Sequence, residues 1–112
     1  MLYVETKRNG AGPAIIVVGE FDMTGTEVFW AHVSEAVAAR PVSTTVEARG
    51  LTFVDSSGLM AIMRARDAAT EAGVTFRVSE PSPPLRRIAE ICGLEGLLLL
   101  DGNPDAAPPP DP

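Results

Sequence analysis

Along this chain the spacing of apolar positions switches between a period of two and a period near 3.6, and each switch marks an element. "MLYVETKR" alternates, "NGAGP" supplies a glycine-rich turn, and "AIIVVGEFD" resumes the extended pattern, which together read as a hairpin. Ile15, Ile16, Val17 and Val18 are apolar on both faces, as a central strand requires. "MTGTEVFWAHVSEAVAARP" then takes helical spacing, with Phe29, Val33, Ala36 and Val37 on one stripe and Glu27, Ser34 and Glu35 off it, and Pro41 ends it. "STTVEARG" is β-branched and strand-like, and "LTFVD" extends it. "SSGLMAIMRARDAATEAG" is helical, with Leu59, Ile62 and Ala69 inward, Met60, Arg64, Asp67 and Glu71 outward, and Gly73 as its C-cap. "VTFRVS" alternates again, "PSPPLRRIAEICGL" begins a third helix with prolines in its first turn and stops near Gly93, and "EGLLLLD" reads as a final short strand or extended segment.

Helix and strand alternate after the hairpin, which predicts an α/β fold with helices packed on a mixed sheet of four to five strands. A length of 112 residues suits one domain over 1–101. Residues 102–112, "GNPDAAPPPDP", lack the apolar content to offset the entropy of ordering and are expected to form a disordered, proline-rich tail.

Charge narrows the functional classes. Nine basic residues against fifteen acidic ones give a net charge of −6, so there is no broad basic surface for direct binding of nucleic acid. The apolar runs "AIIVV" and "GLLLL" are too short to cross a bilayer, so membrane insertion is not expected. The single cysteine, Cys92, cannot form an internal disulfide and falls on an apolar helical stripe, where an inert buried thiol is expected. With nothing resembling a secretory signal, a cytoplasmic location is expected.

Candidate chemistry gathers where strands hand over to helices. "GEFD" ends the second strand, and "FVDSSGL" passes an acid, two hydroxyls and a glycine to the start of a helix. Either Asp55 or Ser56 could cap that helix. Gly58 is costly in a first helical turn, by roughly 1 kcal/mol relative to alanine, and its missing side chain would let another molecule approach the backbone. Met60, exposed beside the serines, could contact a partner or pack on a neighbouring loop. Trp30 is expected to pack at the core or its edge.

Enzyme chemistry finds little support. Asp22 and Asp55 have no further His or carboxylate at ligand spacing, so no metal or cofactor is expected. His32 is the only histidine and belongs to the polar side of the first helix. A serine hydrolase built on Ser56 or Ser57 would lack the G-x-S-x-G elbow, since Asp55 occupies its first glycine position relative to Ser57. No phosphate-binding G-x-x-x-x-G-K-[ST] loop is present.

The order of elements, with "GEFD" and "LTFVDSSGLMAIMRA", resembles the STAS family, the bacterial anti-sigma-factor antagonists and their relatives, from about Leu2 to Leu100. The resemblance implies a single STAS-like domain acting as a protein-binding switch, not an enzyme. Its phosphorylated serine corresponds to Ser56, and its first partner is an anti-sigma factor that is also a serine kinase, sequestered while Ser56 is free. A serine phosphatase is a second expected partner. Asp22, Thr24, Asp55, Ser57, Gly58 and Met60 are the expected partner-binding residues. Two rivals share the evidence: a STAS accessory subunit of a membrane lipid or solute transport complex, and the poorly supported hydrolase.

Overall fold

The computed structural model describes residues 1–8, 10 and 12–98. In chain order these form strands β1 (Leu2–Arg8) and β2 (Pro13–Phe21), a 3-10 turn (Met23–Gly25), helix α1 (Thr26–Ala38), strand β3 (Ser43–Val54), helix α2 (Ser56–Glu71), strand β4 (Thr75–Ser79), helix α3 (Pro83–Ile91) and the short helix α4 (Glu95–Leu98). The sheet runs β1-β2-β3-β4, with β1 antiparallel to β2 and the other neighbours parallel. Successive right-handed crossovers that advance in one direction across a sheet leave their helices on one face. The burial agrees: Ile15, Val17, Phe21, Val46, Ala48, Leu51 and Val78 share one core with Phe29, Val33, Leu59, Ile62 and Leu85 from the helices. Tyr3, Val18 and Phe53 remain exposed.

Strand β3 departs from simple alternation. Its core-facing residues Thr44, Val46 and Ala48 are two apart, whereas Leu51 and Val54 follow at intervals of three. The pairing explains this, because Ile16–Glu47 is followed by Val18–Gly50 and Gly19–Leu51 by Glu20–Phe53, so β3 carries one extra residue at each place. Each bulge re-aims the strand by one position. The segments "STTVEARG" and "LTFVD" are therefore one strand, and its last residue, Val54, points inward at the mouth of the loop that carries Asp55.

Both long helical stripes lie where the periodicity puts them. Phe29, Val33 and Ala36 of α1 are buried, as are Leu59, Ile62 and Ala69 of α2, while Met60, Arg64, Asp67 and Glu71 face solvent. Gly73 and Gly93 adopt positive φ after α2 and α3, and Val74 N and Leu94 N donate back to Ala69 O and Ala89 O, each at 2.8 Å. These are glycine-terminated helix ends of the Schellman type.

Two expectations fail. "EGLLLLD" is not a strand over its described part: Glu95–Leu98 is helical, as suits residues of high helix propensity with none β-branched. Cys92 is exposed, not buried, because α3 stops at Ile91 and the chain turns back through Gly93, so that Leu94 packs against the core. His32 lies on the polar side of α1 as expected, half-buried and sharing an exposed 2.6 Å hydrogen bond with Thr6 of β1. The expected tail, 102–112, lies outside the described residues, as does Leu99–Leu100.

Two buried side-chain atoms, the Thr44 hydroxyl and Arg77 Nε, have no hydrogen-bond partner among the described residues. Thr44 is 1% exposed. A buried polar group without a partner costs roughly 1–3 kcal/mol. Thr44→Val is therefore expected to keep the fold and raise the unfolding free energy by about 1 kcal/mol in urea titrations. A loss of stability would mean that the hydroxyl is bonded after all.

Candidate functional site

Parallel pairing brings Phe21 of β2 opposite Val54 of β3, so Asp22 and Asp55 leave neighbouring strands at the same level. The junction is stitched by a hydrogen bond of 3.3 Å from Asp55 N to Phe21 O. Both acids then act as caps. Asp55, extended at φ −105°, is the N-cap of α2, and its Oδ1 accepts from Gly58 N at 3.1 Å. Asp22 caps the 3-10 turn, its Oδ1 accepting from Thr24 N at 2.9 Å and from the Thr24 hydroxyl at 2.5 Å. Of the two candidate caps for α2, the side-chain role falls to Asp55, which leaves Ser56 at the first helical position.

Ser56 is exposed and Ser57 half-buried. With Gly58 N held by Asp55 and Leu59 N bonded to Asp55 O at 3.1 Å, the amides of Ser56 and Ser57 have no partner among the described residues. Two unpaired amides at the positive end of a sixteen-residue helix make a local preference for an anion.

Gly58 plays a different part from the one expected. It is buried, and a Cβ built on it would lie 2.4 Å from Phe21 O and 2.9 Å from the Phe21 ring. Its missing side chain lets α2 close onto the end of β2 and leaves no approach for another molecule. The Phe21 ring in turn meets Phe29 of α1 edge-on, with centroids 5.0 Å apart.

Met60 is 50% exposed and does not pack away on a loop. With Ser57 and Arg64 it forms one wall of a cleft of about 210 Å³, and Met23, Thr26 and Trp30 form the other. The Arg64 guanidinium lies over the Trp30 ring, 5.1 Å from its centroid. The structure thus brings Asp55, Ser56, Ser57 and Met60 beside the Asp22–Thr24 turn, while His32 lines a separate cleft with Thr6, Arg8 and Glu35. Sequence reasoning missed Met23, Trp30 and Arg64. Their only sequence signal is helical spacing from Thr26 and Ser57, which does not reveal that the two faces meet.

Among the described residues, no group of three or more His, Cys, Asp or Glu stands together as metal ligands do, and no helix is long and apolar enough to cross a membrane.

Comparison with known proteins adds the following. A family profile described as "Mlab, STAS domain" matches residues 4–101. The chain is 33% identical over 95 residues to an anti-sigma F factor antagonist of Lysinibacillus sphaericus, covering 83% of this chain and 80% of that protein. Among solved structures it is similar to an anti-sigma factor antagonist from Mycobacterium paratuberculosis, with a TM-score of 0.80 at 20% identity over 96% of this chain and 91% of that one. It is also similar to the anti-sigma factor antagonist SpoIIAA in its unphosphorylated form, with a TM-score of 0.72 at 20% identity over 86% and 85% of the two chains. The Bacillus SpoIIAA has a structure in the phosphorylated form as well, with a TM-score of 0.64 at 20% identity over 82% of this chain and 85% of that one.

Two outcomes follow from the junction. Helix propensity alone would make Gly58→Ala stabilising by roughly 1 kcal/mol. The contact with Phe21 reverses the sign, and a net loss of about 1–3 kcal/mol is expected in urea unfolding. The second concerns Asp22, whose carboxyl is held below the ordinary aspartate value of 3.8 by the hydroxyl and amide of Thr24. A depressed carboxyl contributes stability that is complete above its unfolded value and disappears as pH falls through the folded one. The Thr24 amide resonance should therefore titrate with a midpoint below 3.8; a midpoint at or above it would mean that the cap is not held in solution.

Proposed function

The chain belongs to the STAS domain family, and from that premise we propose that it is an anti-sigma-factor antagonist, a protein-binding switch controlled by phosphorylation of Ser56. The observation that carries the reading is the position of Ser56: exposed, first in α2, beside two amides with no partner among the described residues. The Lysinibacillus sphaericus relative supports the regulatory role. The partner is an anti-sigma factor with serine kinase activity, bound while Ser56 is free so that a sigma factor is released. The kinase transfers a phosphoryl group from ATP to Ser56 Oγ, and a serine phosphatase restores the hydroxyl. The setting is the cytoplasm.

Physical chemistry makes such a switch local. A phosphate adds about −1.5 to −2 charges and three strong acceptors, and a helix N-terminus receives such a group through its amides and dipole. The fold is retained while the outer surface gains negative charge and a bulky group. A partner carboxylate about 6 Å from the new dianion is repelled by on the order of 1 to 5 kcal/mol, depending on the effective dielectric, which is enough to dissociate a modest complex.

Incubation with the anti-sigma kinase and ATP is expected to add one phosphate, which peptide mass spectrometry should locate on Ser56 and not on Ser57, Thr24 or Thr26. Ser56→Asp should stay cooperatively folded and lose the kinase in a pull-down, whereas Ser56→Ala should retain it. Unfolding of Ser56→Asp, or undiminished binding by it, would sink the electrostatic account. Recovery of a transport ATPase instead of a kinase would favour the transport-subunit reading.

A further inference from the structure

We propose that the cleft between α1 and α2 is the anchor for the partner, receiving two turns of an amphipathic helix that lays an apolar stripe between Met23 and Met60 and sets a carboxylate against Arg64. The inference rests on the antagonist reading and identifies the chemistry of its partner.

The walls of the cleft have helical spacing. On one side Ser57, Met60 and Arg64 stand at i, i+3 and i+7 of α2; on the other Thr26 and Trp30 stand at i and i+4 of α1, with Met23 contributed by the 3-10 turn before it. Seven residues of helix rise about 10 Å, so the α2 wall is a ridge two turns long, facing a shorter one on α1. A groove between two such ridges takes a helix whose apolar residues recur every three or four positions. The surface itself is apolar at an exposed place: Met23 is 71% exposed and Met60 50%. Methionines adapt to the shape of an incoming side chain, and Trp30, on the same wall as Met23, adds a rigid aromatic surface.

Charge sets the identity and direction of the occupant. Among the described residues Arg64 is the only charged one lining the cleft, and it makes no ion pair with any of them. Its guanidinium, held over Trp30, keeps its donors free for a carboxylate. That carboxylate lies seven positions along α2 from Ser57, so the apolar stripe ends at the serine-bearing end of the groove. The anchor is thus continuous with the phosphorylation site and distinct from it: Ser56 controls the complex, and the cleft supplies its apolar contact.

Calorimetric titration with the anti-sigma factor from the chain's own cell tests the assignment. Met60→Glu and Arg64→Glu, both at exposed positions, should each weaken binding at least tenfold with melting curves like the parent's. A photoreactive amino acid in place of Met23 or Met60 should crosslink to partner residues three, four or seven positions apart. Unchanged affinity in both charge variants, with Ser56→Asp still abolishing binding, would overturn the cleft and leave the antagonist reading standing. Crosslinks two residues apart would replace the helix by a strand. A parent dimer that Met60→Glu dissociates would make a second copy of this chain the occupant and overturn the proposal. Failure of the parent chain to bind would overturn both readings.

Discussion

The close approach of Gly58 to the Phe21 backbone is the contact on which the serine-bearing end of this molecule depends. At 2.4 Å, the space a Cβ would need is already taken by the Phe21 carbonyl oxygen. That carbonyl also accepts from Asp55 N, so the end of β2 and the start of α2 form one rigid corner. The Phe21 ring extends the corner to α1 through its edge-on contact with Phe29. Every group around Ser56 takes its position from this junction, including the cap at Asp55 and the turn that carries Met23 and Thr24.

Rigidity here comes from acids used inward. Asp22 and Asp55 each spend an oxygen on a nearby amide, which orders two neighbouring turns and leaves the first two amides of α2 without partners among the described residues. The corner is thereby ordered before any modification. A phosphate on Ser56, on the antagonist reading, lies beside amide donors that are already ordered, so the cost of adjusting the backbone is small. On the antagonist reading, recognition by the kinase and release after phosphorylation both exploit a surface whose shape hardly moves.

The register of the sheet supplies the other constraint. Ten residues of β3, Thr45–Val54, pair with eight of β2, Ala14–Phe21, because two bulges absorb the excess. Without them, strict alternation would aim Leu51 outward, since it lies an odd number of places from the core-facing Ala48. With them, Leu51 and Val54 both enter the core, and Asp55 emerges level with Asp22. Bulges are common beside functional sites for this reason: they redirect a strand end without lengthening the sheet.

Much of this was legible in the chain. The stripes of α1 and α2, the central position of β2, the glycine helix ends at Gly73 and Gly93, and the "DSSGL" start of α2 all arise from interactions among residues a few places apart, which local pattern records. The chain left other features open. Whether Asp55 or Ser56 supplies the cap depends on the angle at which β3 delivers the loop. The burial of Gly58 depends on Phe21, thirty-seven positions earlier, and the exposure of Cys92 on Leu94 turning back to cover Ala89's end of the core. The cleft over Trp30 exists only because α1 and α2 lie side by side on one face of the sheet. Sequence by itself determined the elements and the chemistry at their junctions. Tertiary structure decided which junctions share a corner and which side chains share a groove, because excluded volume and packing act between residues that the chain separates and the fold brings together.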